Sequence, residues 1–200
     1  MKRNSARQRL RELYLEATRK RGAKRTTMDV QQCFLPFCKW LLERWHASEV
    51  ALAIDASSLG ERFVVLAVSI VYRGIAIPVS WTVLHANQTG SWNVHWIRML
   101  RGLRPAIAPT HRVIVVADRG IYSPLLFREV HKMCFHPFFR INVGGNFRPE
   151  GAPDWRPLKS FVPTVGATWC GEGTAFKASG SRLQSTPPWH AGSKAMSTPG

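Results

Sequence analysis

Short apolar runs separated by turn residues occupy the middle of the chain, between residues 50 and 142. Runs of this kind, rich in β-branched residues, predict β-strands. Five strands are expected, at residues 50–56, 62–72, 75–84, 113–117 and 135–142. The first three follow one another through short turns, which predicts an antiparallel meander.

The two segments that separate the later strands have helical spacing. In the first, Ser91 is a suitable cap and Pro105 ends the pattern. Four apolar residues between them recur at intervals of three and are expected to share the core-facing side: Val94, Ile97, Leu100 and Leu103. In the second segment, Ser123 is a favourable N-cap and Pro124 suits the first helical position.

The predicted order, β-β-β-α-β-α-β, indicates an α/β chain with a ribonuclease H-like fold. In that fold the first and fourth strands lie side by side. Asp55 ends the first predicted strand and Asp118 ends the fourth. Because the carboxyl ends of neighbouring parallel strands meet at one edge of a sheet, the two carboxylates are expected to lie close together.

Two neighbouring carboxylates can share divalent cations. Mg²⁺ takes few ligands from the protein and completes its shell with phosphate and water, and a pair of such ions stabilises both oxygens of an in-line phosphoryl transfer. Asp55 and Asp118 are therefore candidate metal ligands and catalytic residues. A simpler interpretation stays open for each: Asp55 as a turn residue before Ser57, and Asp118 as the start of an Asx-turn before Gly120.

The chain is strongly basic, with 28 Lys and Arg against 12 Asp and Glu and a formal net charge of +16. This excess favours a polyanionic partner, nucleic acid ahead of an anionic membrane. No apolar run is long enough for a membrane helix, and the amino terminus has no hydrophobic signal segment. The four cysteines and seven histidines lack zinc-ligand spacing. We therefore expect a cytoplasmic protein without a membrane segment.

Residues 1–47 carry twelve Lys and Arg against four acids and are expected to form a basic helical segment. Thr26, with Asp29 three residues later, predicts a capping box at the start of its second helix. The candidate DNA-binding residues of this segment are Arg21, Lys24 and Arg25. A solvated face on a packing helix explains the same charge pattern equally well.

Composition divides the chain into four parts. The basic helical segment (1–47) precedes an incomplete ribonuclease H-like core (48–143). Residues 144–178 are rich in Gly, Pro and Trp and are expected to form a partial β-rich insertion. Residues 179–200 have few large aliphatic side chains and no periodicity, which predicts disorder.

Five motifs spread over most of residues 7–177 occur in an order typical of one family: LAIDASSLGERFVVLAVSIVYRGIAIPVSWTVL, GSWNVHWIRMLRGL, VIVVADRGIYS, HPFFRINVGGNFRP and WCGEGTAFK. Together they resemble the catalytic domain of IS4-type insertion-sequence transposases, which belong to the Asp-Asp-Glu class. The resemblance implies that an intact parent binds DNA at element ends and at the target, cuts a strand with activated water, and joins the freed 3′-OH to target DNA.

By this resemblance, Asp55 and Asp118 match the first and second acids, which bind two Mg²⁺ ions in the family. Arg119 belongs to the motif of the second acid. It would hold a DNA phosphate, or it would only pair with a surface acid. A homodimer is the assembly expected of the intact parent.

One departure from the family bears on activity. The family needs a third acid, a Glu on a helix beyond the β-rich insertion, and no stretch of this chain matches it. None of the four acids beyond Asp118 is suitably placed: Glu129, Glu150, Asp154 and Glu172. We therefore expect an incomplete two-metal site and an inactive fragment. The alternatives are a non-enzymatic DNA-binding remnant that interferes with intact copies, and a ribonuclease H-like nuclease.

The tail suggests an origin for this departure. Codon degeneracy permits a nucleotide sequence for residues 190–200 whose neighbouring reading frame encodes Arg-Trp-Leu-Gln-Gly-Tyr-Glu-Tyr-Pro-Trp. That string resembles the sequence that follows the GTAFK…RL segment in the family. A frameshift near residues 184–189, followed by unrelated sequence, is therefore expected.

Overall fold

The computed structural model describes residues 29–121, 123–140, 144–162, 164, 169–175 and 191–192 of the 200. The candidate DNA-binding residues Arg21, Lys24 and Arg25 lie outside these ranges, as does most of the tail. The four-part division of the chain and the frameshift stay predictions.

Three long antiparallel strands form one side of a five-stranded sheet. They are β1 (Glu49–Leu59), β2 (Phe63–Tyr72) and β3 (Ile75–His85). Arg73 and Gly74 form the turn between β2 and β3, and both have the positive φ that a two-residue hairpin turn favours. β3 lies at the sheet edge, a position that tolerates Pro78 because an edge strand can lack a ladder hydrogen bond.

Two parallel strands complete the sheet. β4 (Arg112–Ala117) pairs with β1, and β5 (His136–Phe139) pairs with β4, so the strand order is β3-β2-β1-β4-β5. The first and fourth strands are thus neighbours, as expected. This order, together with the β-β-β-α-β-α-β succession along the chain, confirms the predicted ribonuclease H-like fold class.

Three α-helices accompany the sheet: α1 (Val30–Leu42), α2 (Asn93–Leu103) and α3 (Pro124–Lys132). Short 3₁₀ turns lie at Arg104–Ala106 and Leu158–Phe161. α3 begins as predicted, because Ser123 Oγ accepts the Leu126 N–H at 3.0 Å and Pro124 is the first helical residue. None of the described helices combines the length and the apolar character that a membrane span requires.

The start of α1 differs from the expected capping box. Asp29 is itself the N-cap, and its carboxylate accepts the N–H groups of Gln31 and Gln32 at 2.9 and 3.3 Å. Asp and Thr are both good N-caps, so the sequence pattern did not separate Asp29 from Thr26. The helix then continues through Pro36.

One hydrophobic core joins the helices to one face of the sheet. Alternate residues of the two central strands are buried on this face: Val50, Leu52, Ile54, Val113, Val115 and Ala117. The helices cover them with Trp96, Leu100 and Leu103 of α2 and with Leu126 and Val130 of α3. The two central strands are therefore fixed from one side, and their other side lies away from this core.

The buried side of α2 is shifted from the predicted one. Leu100 and Leu103 are buried as expected, but Val94 is 54% exposed, and Trp96 and Met99 are buried instead. An interval of three residues falls short of the 3.6 residues of a helical turn, so a stripe built from such intervals rotates away from the core. The observed residues, Trp96, Met99, Leu100 and Leu103, are related to one another by intervals of three and four, which keeps them on one side of the helix.

A smaller β-rich unit follows β5. Its strands are β6 (Asn146–Pro149), β7 (Arg156–Pro157), β8 (Cys170–Gly171), β9 (Gly173–Ala175) and β10 (Ala191–Gly192). β6 pairs with β7 and β9, and β8 pairs with β10. Phe147 is fully buried and meets the rings of Phe161 and Trp169 edge-on, with centroids 5.7 and 5.4 Å away. Phe147, Phe161 and Trp169 therefore form an aromatic cluster in this unit.

Truncating one core leucine of β1 should destabilise the protein. Leu52 is fully buried, whereas Leu59 of the same strand is 59% exposed. Leu52→Ala should lower the free energy of unfolding by about 2–5 kcal/mol, because it leaves a cavity against the helices. The control Leu59→Ala should change it by less than about 1 kcal/mol. Urea denaturation measures both, and equal effects would contradict the assignment of the core.

Candidate active site

The structure corrects the expected position of Asp55, which lies inside β1 and not at its end. β1 pairs with β4 only as far as Ile54, opposite Ala117, and then continues to Leu59 paired with β2 alone. Asp55 lies opposite Ala67 of β2. The expected turn after Asp55 is absent because the β1–β2 hairpin extends through these residues. Asp55 is thus the first residue of β1 beyond its pairing with β4.

Asp118 occupies the equivalent position on β4, directly after the paired Ala117. Ile54 and Ala117 each point into the core and are each 3% exposed. Since side chains alternate along a strand, Asp55 points to the opposite face, and the Asp118 side chain is 66% exposed. Neighbouring strands lie about 4.8 Å apart, so the two acids occupy adjacent positions where the β1–β4 pairing ends.

Each carboxylate accepts a hydrogen bond from its own segment. Ser57 Oγ donates to Asp55 Oδ2 at 2.9 Å, and the Arg119 N–H donates to Asp118 Oδ1 at 2.6 Å. The turn after Asp118 is closed by the main chain, because the Ile121 N–H donates to the Asp118 carbonyl at 3.0 Å. A carboxylate offers about four acceptor sites, so these contacts orient the two acids without using up their oxygens.

A cationic residue that the sequence analysis missed lies beside Asp118. Arg140 directly follows β5, and its guanidinium Nη1 is 3.8 Å from Asp118 Oδ1. Its N–H donates to the Ala117 carbonyl at 2.9 Å, which anchors it next to β4. The β4–β5 pairing ends at Ala117 and Phe139, so the next residue of each strand becomes a neighbour of the other. Only the register of that pairing could have identified Arg140.

Arg119 is the one predicted DNA-binding residue within the described part of the chain. It lies exposed in the turn after Asp118. Its main-chain N–H contacts Asp118, whereas Arg140 contacts Asp118 through its guanidinium group. The guanidinium group of Arg140 offsets part of the negative charge of Asp118.

Glu129, the first acid beyond Asp118, links α2 and α3 through ion pairs. Its carboxylate accepts bonds from Lys132 Nζ at 2.9 Å and from Arg101 Nη2 of α2, and its side chain is only 12% exposed. The hydrogen bond from Lys132, followed by the charge of Lys132 and the contacts of Arg101, lowers the pKa of Glu129 below its ordinary value. The contacts of Glu129 are those of a structural ion-pair network.

Asp55 and Asp118 are carboxylates, the ligand type that hard divalent cations prefer. Mg²⁺ is commonly held by one or two carboxylates, with phosphate and water completing its shell. Within the described residues, no group of three or more His, Cys, Asp and Glu side chains is arranged to hold a metal ion. A pair of ions would need a further acidic ligand, which the described part of the chain does not place beside this pair.

Comparisons with known proteins include a weak structural likeness. No protein-family model matches the chain, and no curated protein matches it. A structure of the Mos1 transposase catalytic domain and raltegravir with Mn aligns at 12% identity with a TM-score of 0.32. The alignment covers 59% of this chain and 62% of that chain, less than two thirds of either. The fold assignment rests on the strand order and register described above.

Glu129 should stabilise the protein only above acidic pH. A carboxyl group whose pKa is lowered by folding contributes stability above its unfolded pKa, and this contribution is lost as the pH falls through the folded pKa. Glu129→Gln should therefore lower the free energy of unfolding by about 1 kcal/mol at neutral pH. The difference from wild type should shrink once the pH falls below 4.5, the ordinary pKa of this group.

Urea denaturation at a series of pH values measures this difference. Glu61→Gln removes an exposed carboxylate from the turn between β1 and β2 and serves as the matched control. It should have little effect at any pH. A Glu129→Gln effect of the same size at neutral and at acidic pH would contradict the ion-pair role.

Proposed function

We propose that this chain is an incomplete catalytic core of an IS4-type DNA transposase, which binds DNA and a divalent cation at Asp55 and Asp118. One observation carries the proposal: both acids directly follow the last paired residues of the two central parallel strands of a ribonuclease H-like sheet. The net charge of +16 and the order of the five sequence motifs support it.

In this proposal each side chain of the site has a separate role in binding a phosphodiester. Asp55 and Asp118 hold Mg²⁺, and Ser57 keeps Asp55 oriented through its hydrogen bond. When bound, the cation would stabilise negative charge on the phosphate oxygens. Without a metal, the positive charge of Arg140 offsets the negative charge of Asp118. When a cation is bound and offsets that charge instead, Arg140 is near enough to contact a phosphate.

The activity proposed for the chain itself is binding without turnover. The family's third acid has no counterpart at the matching position, and Glu129 is engaged by Arg101 and Lys132. A site with two carboxylates should hold a single cation weakly and lose most of the rate of strand cleavage and strand transfer. The same observation favours the second candidate function, a DNA-binding remnant that occupies element ends and interferes with intact copies.

The response of DNA binding to Mg²⁺ tests the acid pair. Without Mg²⁺, Asp118→Asn should bind duplex DNA up to roughly fivefold more tightly than wild type, because a negative charge facing the phosphates is removed. Added Mg²⁺ should strengthen binding by the wild type and leave Asp118→Asn unchanged. Fluorescence anisotropy with a labelled duplex, in EDTA and in Mg²⁺, measures both effects.

Asp154→Asn is the matched control, since it removes an exposed acid in the β-rich unit. It should keep the Mg²⁺ response. Full Mg²⁺ responses in both Asp55→Asn and Asp118→Asn would rule out the proposed metal ligands. Plasmid nicking that Asp118→Asn abolishes would show that the chain is an active enzyme, and hydrolysis of RNA in a hybrid would favour a ribonuclease H-like nuclease.

The salt dependence of binding tests the cationic part of the site. Arg140→Gln should weaken binding to all duplex sequences and reduce the slope of log affinity against log salt by about one, as expected for one lost phosphate contact. Arg73→Gln, in the turn at the opposite end of the sheet, should preserve the slope. A slope that Arg140→Gln leaves at the wild-type value would contradict a phosphate contact by Arg140.

A further inference from the structure

The face of the sheet opposite the core is apolar at its centre, and we refer to it as the outer face. On β1 and β4, four apolar residues that alternate with the core-facing ones are each partly exposed: Ala51, Ala53, Ile114 and Val116. Their core-facing neighbours in these strands are at most 3% exposed. Phe138 of β5, in register with Val116, is 61% exposed. Apolar surface is therefore left open on this face.

The composition of the two central strands indicates that the outer face becomes covered. β1 reads VALAI over residues 50–54, and β4 reads VIVVA over residues 113–117. Strands with one face in water alternate apolar and polar residues, whereas strands covered on both faces are apolar throughout. The helices of the described part of the chain contribute their buried residues to the core on the other face. The outer face therefore calls for a separate occupant.

The outer face has the shape of a shallow groove. Its floor consists of three alanines of β1 and β2: Ala51, Ala53 and Ala67. Larger side chains flank the floor, with Trp81 on the β3 side and with Val116 and Phe138 on the side of β4 and β5. A groove that follows a strand between two ridges fits the apolar stripe of a helix better than the flat face of a second sheet.

We propose that residues 10–17 of this chain occupy the groove as an amphipathic helix. This segment lies outside the described residues. Four of its apolar residues recur at i, i+3, i+4 and i+7 and would share one side: Leu10, Leu13, Tyr14 and Ala17. Its charged residues would face solvent. Residues 179–200 have no comparable spacing, so the tail does not offer a second occupant of this kind.

The position of α1 brings this segment within reach of the groove. Phe34, near the start of α1, meets Trp81 with ring centroids 4.4 Å apart, so the chain enters α1 at the rim of the groove. Eleven residues, 18–28, separate the segment from Asp29. They can span up to about 36 Å, which exceeds the roughly 19 Å across the five strands.

Opposite charges favour one direction of the segment in the groove. Asp55 follows Ala53 on the outer face, so the groove ends at a carboxylate. Arg7 and Arg9 directly precede the apolar stripe of the segment. Docking with this end towards Asp55 brings unlike charges together. The inference requires neither DNA nor a metal and therefore does not rest on the function proposed above.

The reactivity of a thiol in the groove floor tests the proposal with the full-length chain. Ala53→Cys places a thiol beneath the segment, and mass spectrometry follows its labelling by a maleimide. Labelling should be slow and independent of protein concentration. Adding Leu13→Glu should accelerate it at least about tenfold, because one buried leucine contact is lost. Leu10→Glu, on the same side of the segment, should have the same effect.

Leu15→Glu is the matched control, since it makes the same substitution on the opposite side of the expected helix. It should leave labelling slow. Cys38 is fully buried in the core and should stay unlabelled in every variant, which shows that the fold is retained.

Three results would overturn the proposal. The first is labelling of the Ala53→Cys thiol as fast as that of the exposed Cys33. The second is an equal effect of Leu13→Glu and Leu15→Glu. The third is protection that is lost on dilution and unaffected by Leu13→Glu, which would assign the groove to a second copy of the chain.

Discussion

The parallel pairing of β1 with β4 is the contact on which the candidate site depends. It aligns Ile54 with Ala117, and every consequence for the two acids follows from that register. The paired residues bury their side chains against the helices, so the next residue of β1 must point the other way. A slip of one residue would turn Asp55 into the core, where an unpaired charge is strongly unfavourable. The hydrophobic core therefore enforces the register that exposes the acid.

The second parallel pairing, between β4 and β5, adds the positive side of the site. It ends at Ala117 and Phe139 and so sets Arg140 beside Asp118. The site thus combines two carboxylates with the guanidinium group of Arg140.

The strand order and the fold class could be predicted because each strand is a short apolar run bounded by turn residues. The start of α3 was equally accessible, since Ser123 and Pro124 act through local backbone chemistry. Errors arose where two local signals competed. The cap of α1 was not predicted correctly, because two suitable cap residues, Thr26 and Asp29, stand close together in the sequence. The predicted end of the first strand was wrong because Ser57 and Ser58 are typical turn residues, whereas pairing with β2 keeps them extended.

The sequence by itself determined the element order, the basic charge, and the presence of one aspartate in the first strand and another directly after the fourth. These properties depend on side chains close together along the chain. The proximity of Arg140 to Asp118, the rotation of α2 that buries Trp96, and the bond between Ser123 and Asn93 were decided only by the tertiary structure. Each joins residues far apart in sequence, through a register or a helix orientation that the packing of the whole core selects.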